Sequence, residues 1–208
     1  MILLRYSRWE AILNRKKIAS GVSAALNAPL IAMITFITII LYLRAPNGLT
    51  LIGITSIFAC ILPLIMVGAL FKLDLIDDYY AAEKETRYIP FLWTDLFYLA
   101  GTMVLFWLEA PSAVTALMAC YFVNGFILLL ITFKYKISIH ASGITGPVTA
   151  LVYIIGATMI PLFLTVLPVA WARVELKAHT KMQVTTGAIL TTLLTWIQMS
   201  VYLHNFFF

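Results

Sequence analysis

Long apolar runs broken by short polar segments dominate this chain. The runs fall near 21–43, 50–71, 89–108, 112–133, 143–158, 160–172 and 184–206. They are continuously apolar, whereas barrel strands alternate between a lipid face and a lumen face, so a transmembrane β-barrel is excluded. A helix crosses the hydrocarbon core with about 20 residues, and most of the runs approach or exceed that length. The fifth and sixth are short, and together they predict a helical hairpin with its turn near Met159-Ile160-Pro161. Turn residues separate other runs at Ala45-Pro46-Asn47-Gly48 and Glu109-Ala110-Pro111-Ser112. The expectation is an all-α protein, a multi-span transmembrane helical bundle of six to seven spans. It forms a single domain over residues 1–208.

Composition agrees with the pattern. Hydrophobic residues make up 62% and charged residues only 11%, which excludes an ordinary soluble domain. Thirteen of the 14 Lys and Arg residues fall on one side of such a bundle. They are Arg5, Arg8, Arg15, Lys16 and Lys17 before the first run, then Lys72, Lys84 and Arg87. Lys134 and Lys136 follow, then Arg173, Lys177 and Lys181; Arg44 alone lies on the other side. The positive-inside rule places the rich side and the N-terminus in the cytoplasm and the C-terminus outside a cell membrane. No basic stripe carries interleaved aromatics, so the net charge of +5 reflects topology and nucleic acid is not an expected partner. The basic first residues contain no small-residue cleavage site, so no removable signal peptide is expected. Cys60 and Cys120 lie inside apolar runs and read as buried free thiols.

Three segments on the cation-rich side carry candidate chemistry. His179 and Gln183 are four apart and share a helix face. The Gln183 carbonyl fits the ring N–H of His179 and would fix which nitrogen is free to attack phosphorus. Arg173 supplies a planar fork of donors suited to phosphate oxygens. Upstream, Lys136 and Ser138-Ile139-His140 open the fifth run. A helix N-terminus binds anions, and His140 is placed to protonate a leaving oxygen near neutral pH; Ser138 reads equally as an N-cap. The segment 74–90 carries Lys84 and Arg87, three apart, among Asp74, Asp77, Asp78, Glu83 and Glu85. Asp95, about two turns and 12 Å beyond Arg87, is an intramembrane charge that reads either as a partner for the site's cations or as a hydrogen-bonded core residue. Asn124 reads as interhelical packing.

These motifs resemble the type-2 phosphatidic acid phosphatase superfamily, whose members carry Lys-x6-Arg-Pro, then Pro-Ser-Gly-His, then Ser-Arg-x5-His-x3-Asp. Ile137-Ser138-Ile139-His140 matches the second motif at Ser and His. Ala172-Arg173-x5-His179-x3-Gln183 matches the third at Arg and His with the spacing intact, and Arg87 with Pro90 is similar to the first. The resemblance covers about 70–195. It departs at Tyr80, which stands where the family has Lys, at Ile137 and Ile139, and at Gln183, which replaces the family's Asp. Lys84 or Lys136 is then the candidate replacement for the missing Lys, and Glu175 for the missing carboxylate. The resemblance implies a metal-independent phosphatase, without cofactor, acting on a lipid or prenyl (di)phosphate. His179 would be the nucleophile of a phosphohistidine intermediate and His140 the acid and then the base. Lys84, Arg87, Lys136, Ser138 and Arg173 would bind phosphate. The alternatives are a Mg²⁺-dependent prenyl- or phosphatidyl-transferase that uses the acidic segment 74–85, and a non-catalytic lipid-binding relative.

Overall fold

The computed structural model describes residues 2–76 and 88–206, with side chains described over 13–76 and 88–204, and these residues contain helices and no strand. Helix α1 (Ile2–Ala25) leads into α2 (Ala28–Tyr42). Then come α3 (Gly48–Lys72), α4 (Tyr88–Trp107), α5 (Ser112–Thr132) and α6 (Ile139–Ile155). A 3-10 run, Ala157–Thr165, continues into α7 (Val166–Glu175), and α8 covers Lys181–Val201. Five of these segments are long and apolar enough to cross a membrane: α3, α4, α5, the 3-10 run with α7, and α8 with its last turn. The bent pair of α1 and α2 brings the number to six. The protein is an all-helical, multi-span membrane bundle.

Two of the expected runs take a different form. The first is broken by a 41° bend. Asn27 is extended there, its side chain accepts the Leu30 N–H at 2.9 Å, and its amide donates to the Ala24 carbonyl at 3.0 Å. Pro29 lies in the first turn of α2, where a missing N–H costs nothing. In the hairpin the turn comes at Gly156, earlier than Met159–Pro161. Gly156 ends α6 with φ 115° and ψ −174°, a conformation that side-chain-bearing residues rarely adopt. Pro161 is absorbed into the 3-10 run. Val148 and Val152 of α6 pack against Phe163, Val166 and Val169, which closes the hairpin. Helix α6 itself has 17 residues, short of a full crossing, and most of its first two-thirds is buried.

Proline also shapes α3. Pro63 has no N–H for the Ala59 carbonyl, and the helix passes the gap with a π turn at Ile57–Ile61. The largest apolar core joins Phe36 and Ile39 of α2 to Tyr98 and Leu105 of α4 and Leu117 and Met118 of α5.

Helices α6 and α8 run side by side in the same direction. The Ser138 N–H donates to the Gln183 carbonyl at 3.3 Å, the Ser142 hydroxyl to the Gly187 carbonyl at 3.1 Å, and the Thr145 hydroxyl to the Ala188 carbonyl at 3.0 Å. Gly187 permits this approach, because a Cβ there would lie 2.7 Å from the Ser138 carbonyl oxygen. Small and hydroxyl residues at contact points are the usual means of close packing where lipid removes the hydrophobic drive.

Candidate functional site

The sequence spacing Arg-x5-His turns out to be one helix-ending loop. Lys177 takes φ 55° just after α7, the Ala178 N–H reaches back to the Arg173 carbonyl at 3.0 Å, and the Lys177 N–H to the Val174 carbonyl at 3.0 Å. This is a Schellman ending. The His179 N–H also reaches the Arg173 carbonyl, at 3.2 Å. One backbone loop thus sets the positions of both side chains.

Arg173 is 2% exposed, and its guanidinium donates to the Ser23 hydroxyl of α1 at 3.1 Å. His179 is 6% exposed. Its Nδ1 lies 3.3 Å from Gln183 Oε1. An amide oxygen only accepts, so this contact assigns the ring proton to Nδ1. Gln183 Oε1 also accepts the Thr180 N–H at 3.0 Å, and Thr180 Oγ1 accepts the Gln183 N–H at 3.2 Å. That reciprocal pair is a capping box that starts α8. Gln183 therefore both caps its helix and orients His179.

On the neighbouring helix, Ser138 is the N-cap of α6 and its hydroxyl accepts the Ala141 N–H at 3.5 Å. His140 follows within the first turn, where the helix dipole favours an anion. His140, Arg173 and His179 all line one cavity of about 210 Å³. From that end the cavity runs inward between α3, α4, α5 and α8, past Phe91 and Leu128, to Asp95 and Tyr121. The start of α4 and the end of α5 lie at the same end of the bundle as His140, since Tyr88 stacks on Phe133 at 6.5 Å just before the loop to α6.

The other candidates are distributed as follows. Lys136 is half-buried in the loop before α6 and, like Ser138, lies outside the cavity wall. Glu175 pairs with Arg15 at 3.2 Å and lies outside the wall as well, so its charge is directed to α1. Asp95 is 3% exposed, lines the cavity, and has neither carboxylate oxygen hydrogen-bonded among the described residues. Asn124 is the interhelical link expected of it. Its amide donates to Thr195 Oγ1 at 2.9 Å, and its carbonyl accepts from Gln198 at 2.7 Å. Lys84 and Arg87 lie outside the described residues, as do Asp77, Asp78, Tyr80, Glu83 and Glu85. Among the described residues, no three His, Cys, Asp or Glu side chains gather as a metal site.

One member of the site, Ser23, and one role, that of Gln183 as a cap, were missed in the sequence. Ser23 gives no signal, because it sits at the start of an apolar run far from Arg173 along the chain. The capping role of Gln183 did give one, since Thr180-x-x-Gln183 ahead of an apolar run is the pattern of a capping box. No known family, characterised protein or solved structure matches this chain.

Proposed function

We propose that this chain is a membrane phosphatase that removes phosphate from a lipid or prenyl (di)phosphate, in the manner of the type-2 phosphatidic acid phosphatases that its motifs resemble. One observation carries the reading: His140, Arg173 and His179, far apart in sequence, line one cavity, and Gln183 holds the His179 ring in the tautomer an attack requires.

In this mechanism the His179 Nε2 lone pair attacks phosphorus. The bond from phosphorus to the leaving oxygen breaks, and His140 gives that oxygen its proton. A phosphohistidine remains. His140, now neutral, takes a proton from water as the water attacks phosphorus; the P–N bond breaks and free phosphate leaves. Arg173 and the N–H groups opening α6 hold the non-bridging oxygens, with Lys84, Arg87 and Lys136 as further cations. Fixed positive charge and alignment supply most of the rate enhancement. A neutral Gln183 orients His179 without adding negative charge, so the positive ring is less stabilised than beside a carboxylate. The lopsided distribution of Lys and Arg favours an active site on the cytoplasmic face.

The test is phosphate release in detergent from farnesyl and longer prenyl diphosphates, phosphatidic acid and phosphatidylglycerol phosphate. At least one should be hydrolysed in the presence of EDTA, with inhibition by vanadate. Activity that EDTA abolishes points instead to the acidic segment 74–85 and a metal-dependent transferase. No release from any substrate favours the non-catalytic reading. Sidedness is tested by single cysteines at Lys177 and Asn47. The first should label only after access to the inner face and the second from outside; the reverse pattern overturns the orientation.

A further inference from the structure

Deeper in the cavity lies a polar region that phosphoryl transfer does not use. Neither oxygen of Asp95 has a hydrogen-bond partner among the described residues. Gly125 of α5 faces it, and a Cβ at Gly125 would overlap the carboxylate, so the glycine is what makes room for the acid. The hydroxyls of Tyr121 and Thr191 line the same cavity, are buried, and also have no partner among the described residues. Tyr121 is one helical turn from Gly125. Thr191 is one turn from Thr195, which is bonded to Asn124 beside Gly125. Because α5 and α8 run in opposite directions, these links put Thr191 about one turn on the histidine side of the Asn124–Thr195 bond and Tyr121 about one turn beyond it, so Asp95 is the group at the depth of Gly125. Asp95 and Gly125 each lie two turns from the helix ends nearest the histidines, about 10 Å inward.

Polar groups stranded at that depth disfavour folding unless something satisfies them. A carboxylate accepts hydrogen bonds through both oxygens, so a donor brought to Asp95 satisfies its charged form. The wall between Asp95 and the histidines is mostly apolar, with Phe91 and Leu128 along it. We propose that Asp95 forms a second subsite that binds a hydrogen-bond-donating group, an ammonium or a hydroxyl. This group is carried on the apolar chain of an amphiphile whose phosphate lies at Arg173 and the two histidines. The phosphate end of this ligand rests on the function proposed above; the donor end rests only on the unpartnered carboxylate of Asp95.

The test compares the affinities of decyl phosphate, ω-hydroxydecyl phosphate and ω-aminodecyl phosphate for the full chain in detergent. The chain length spans the depth between the two regions. One donor-bearing ligand should bind about 10-fold more tightly than decyl phosphate, as a charge-assisted hydrogen bond gives. Which of the two gains identifies the donor as ammonium or hydroxyl. In Asp95→Asn that advantage should fall below about 2-fold. Equal binding of the three by the wild-type chain overturns the subsite and means that water alone satisfies Asp95. An advantage that survives in Asp95→Asn overturns it too. Where Asp95→Asn does not fold, Gly125→Ala, which sets a methyl group against the carboxylate, is read in the same way. If no phosphate binds, the phosphatase reading fails by itself, and decylamine then decides the subsite. Weaker decylamine binding by Asp95→Asn supports the subsite, and equal binding overturns it.

Discussion

The two polar regions of the cavity differ in how their side chains are held. At the histidine end, Arg173 is bonded to Ser23, His179 to Gln183, and Ser142 to Gly187. Deeper in, Asp95, Tyr121 and Thr191 have no such partners among the described residues. Depth is not the reason, because Asn124, next to Gly125, is bonded on both sides to Thr195 and Gln198. Groups held by neighbours are preorganised, as chemistry requires. Groups left open at a depth where closure is possible are suited to a ligand.

The largest effect should separate the reactive end from the rest. His179→Ala is expected to lower phosphate release by about 10³-fold or more, since the proposed nucleophile is gone; release near the wild-type rate would break the assignment. Gln183→Ala should lower turnover by about 10- to 100-fold with KM little changed, because orientation of His179 matters mainly in the transition state. It should also lower stability by about 1 kcal/mol through loss of the cap. Gln183→Glu keeps an acceptor for both His179 Nδ1 and the Thr180 N–H and adds a stabilising charge. It should retain or exceed wild-type turnover, and a further drop would show that the amide does more than orient the ring.

The deep region gives a contrast of sign. Asp95→Asn should raise the stability of the ligand-free protein by about 1 kcal/mol, because it replaces an unpartnered acidic group with a neutral one. Asn124→Leu should lower it by about 1 kcal/mol, because it breaks two interhelical bonds. Thermal unfolding in detergent measures both, and shifts in the same direction would erase the distinction between open and closed polar groups. The smallest effect belongs to the edge. Arg15→Ala should cost less than about 0.5 kcal/mol, since its pair with Glu175 is exposed on the arginine side.

Much of the architecture was legible because lipid imposes a simple rule. Backbone polar groups in hydrocarbon must be satisfied within the segment, so apolar runs of sufficient length become helices. That fixed the helical class, the turns before Gly48 and Ser112, and the hairpin between the two motif-bearing loops. The spacing of Arg173, His179 and Gln183 was also readable, because all three lie within one loop and one helical turn. The bend at Asn27 and the turn at Gly156 were not read, although both have local causes: an N-cap followed by Pro29, and a glycine able to take φ 115°.

What tertiary structure alone decided lies between helices. Ser23 meets Arg173 through the packing of α1 on α7, Asp95 finds space only because Gly125 faces it from α5, and His140 joins His179 through the close contact of α6 with α8. Each depends on which faces meet across the bundle. A chain of apolar spans carries little record of that choice, because in lipid an apolar face fits protein and solvent equally well. The partner is selected by small residues and scattered hydrogen bonds, and their effect appears only once the helices are packed.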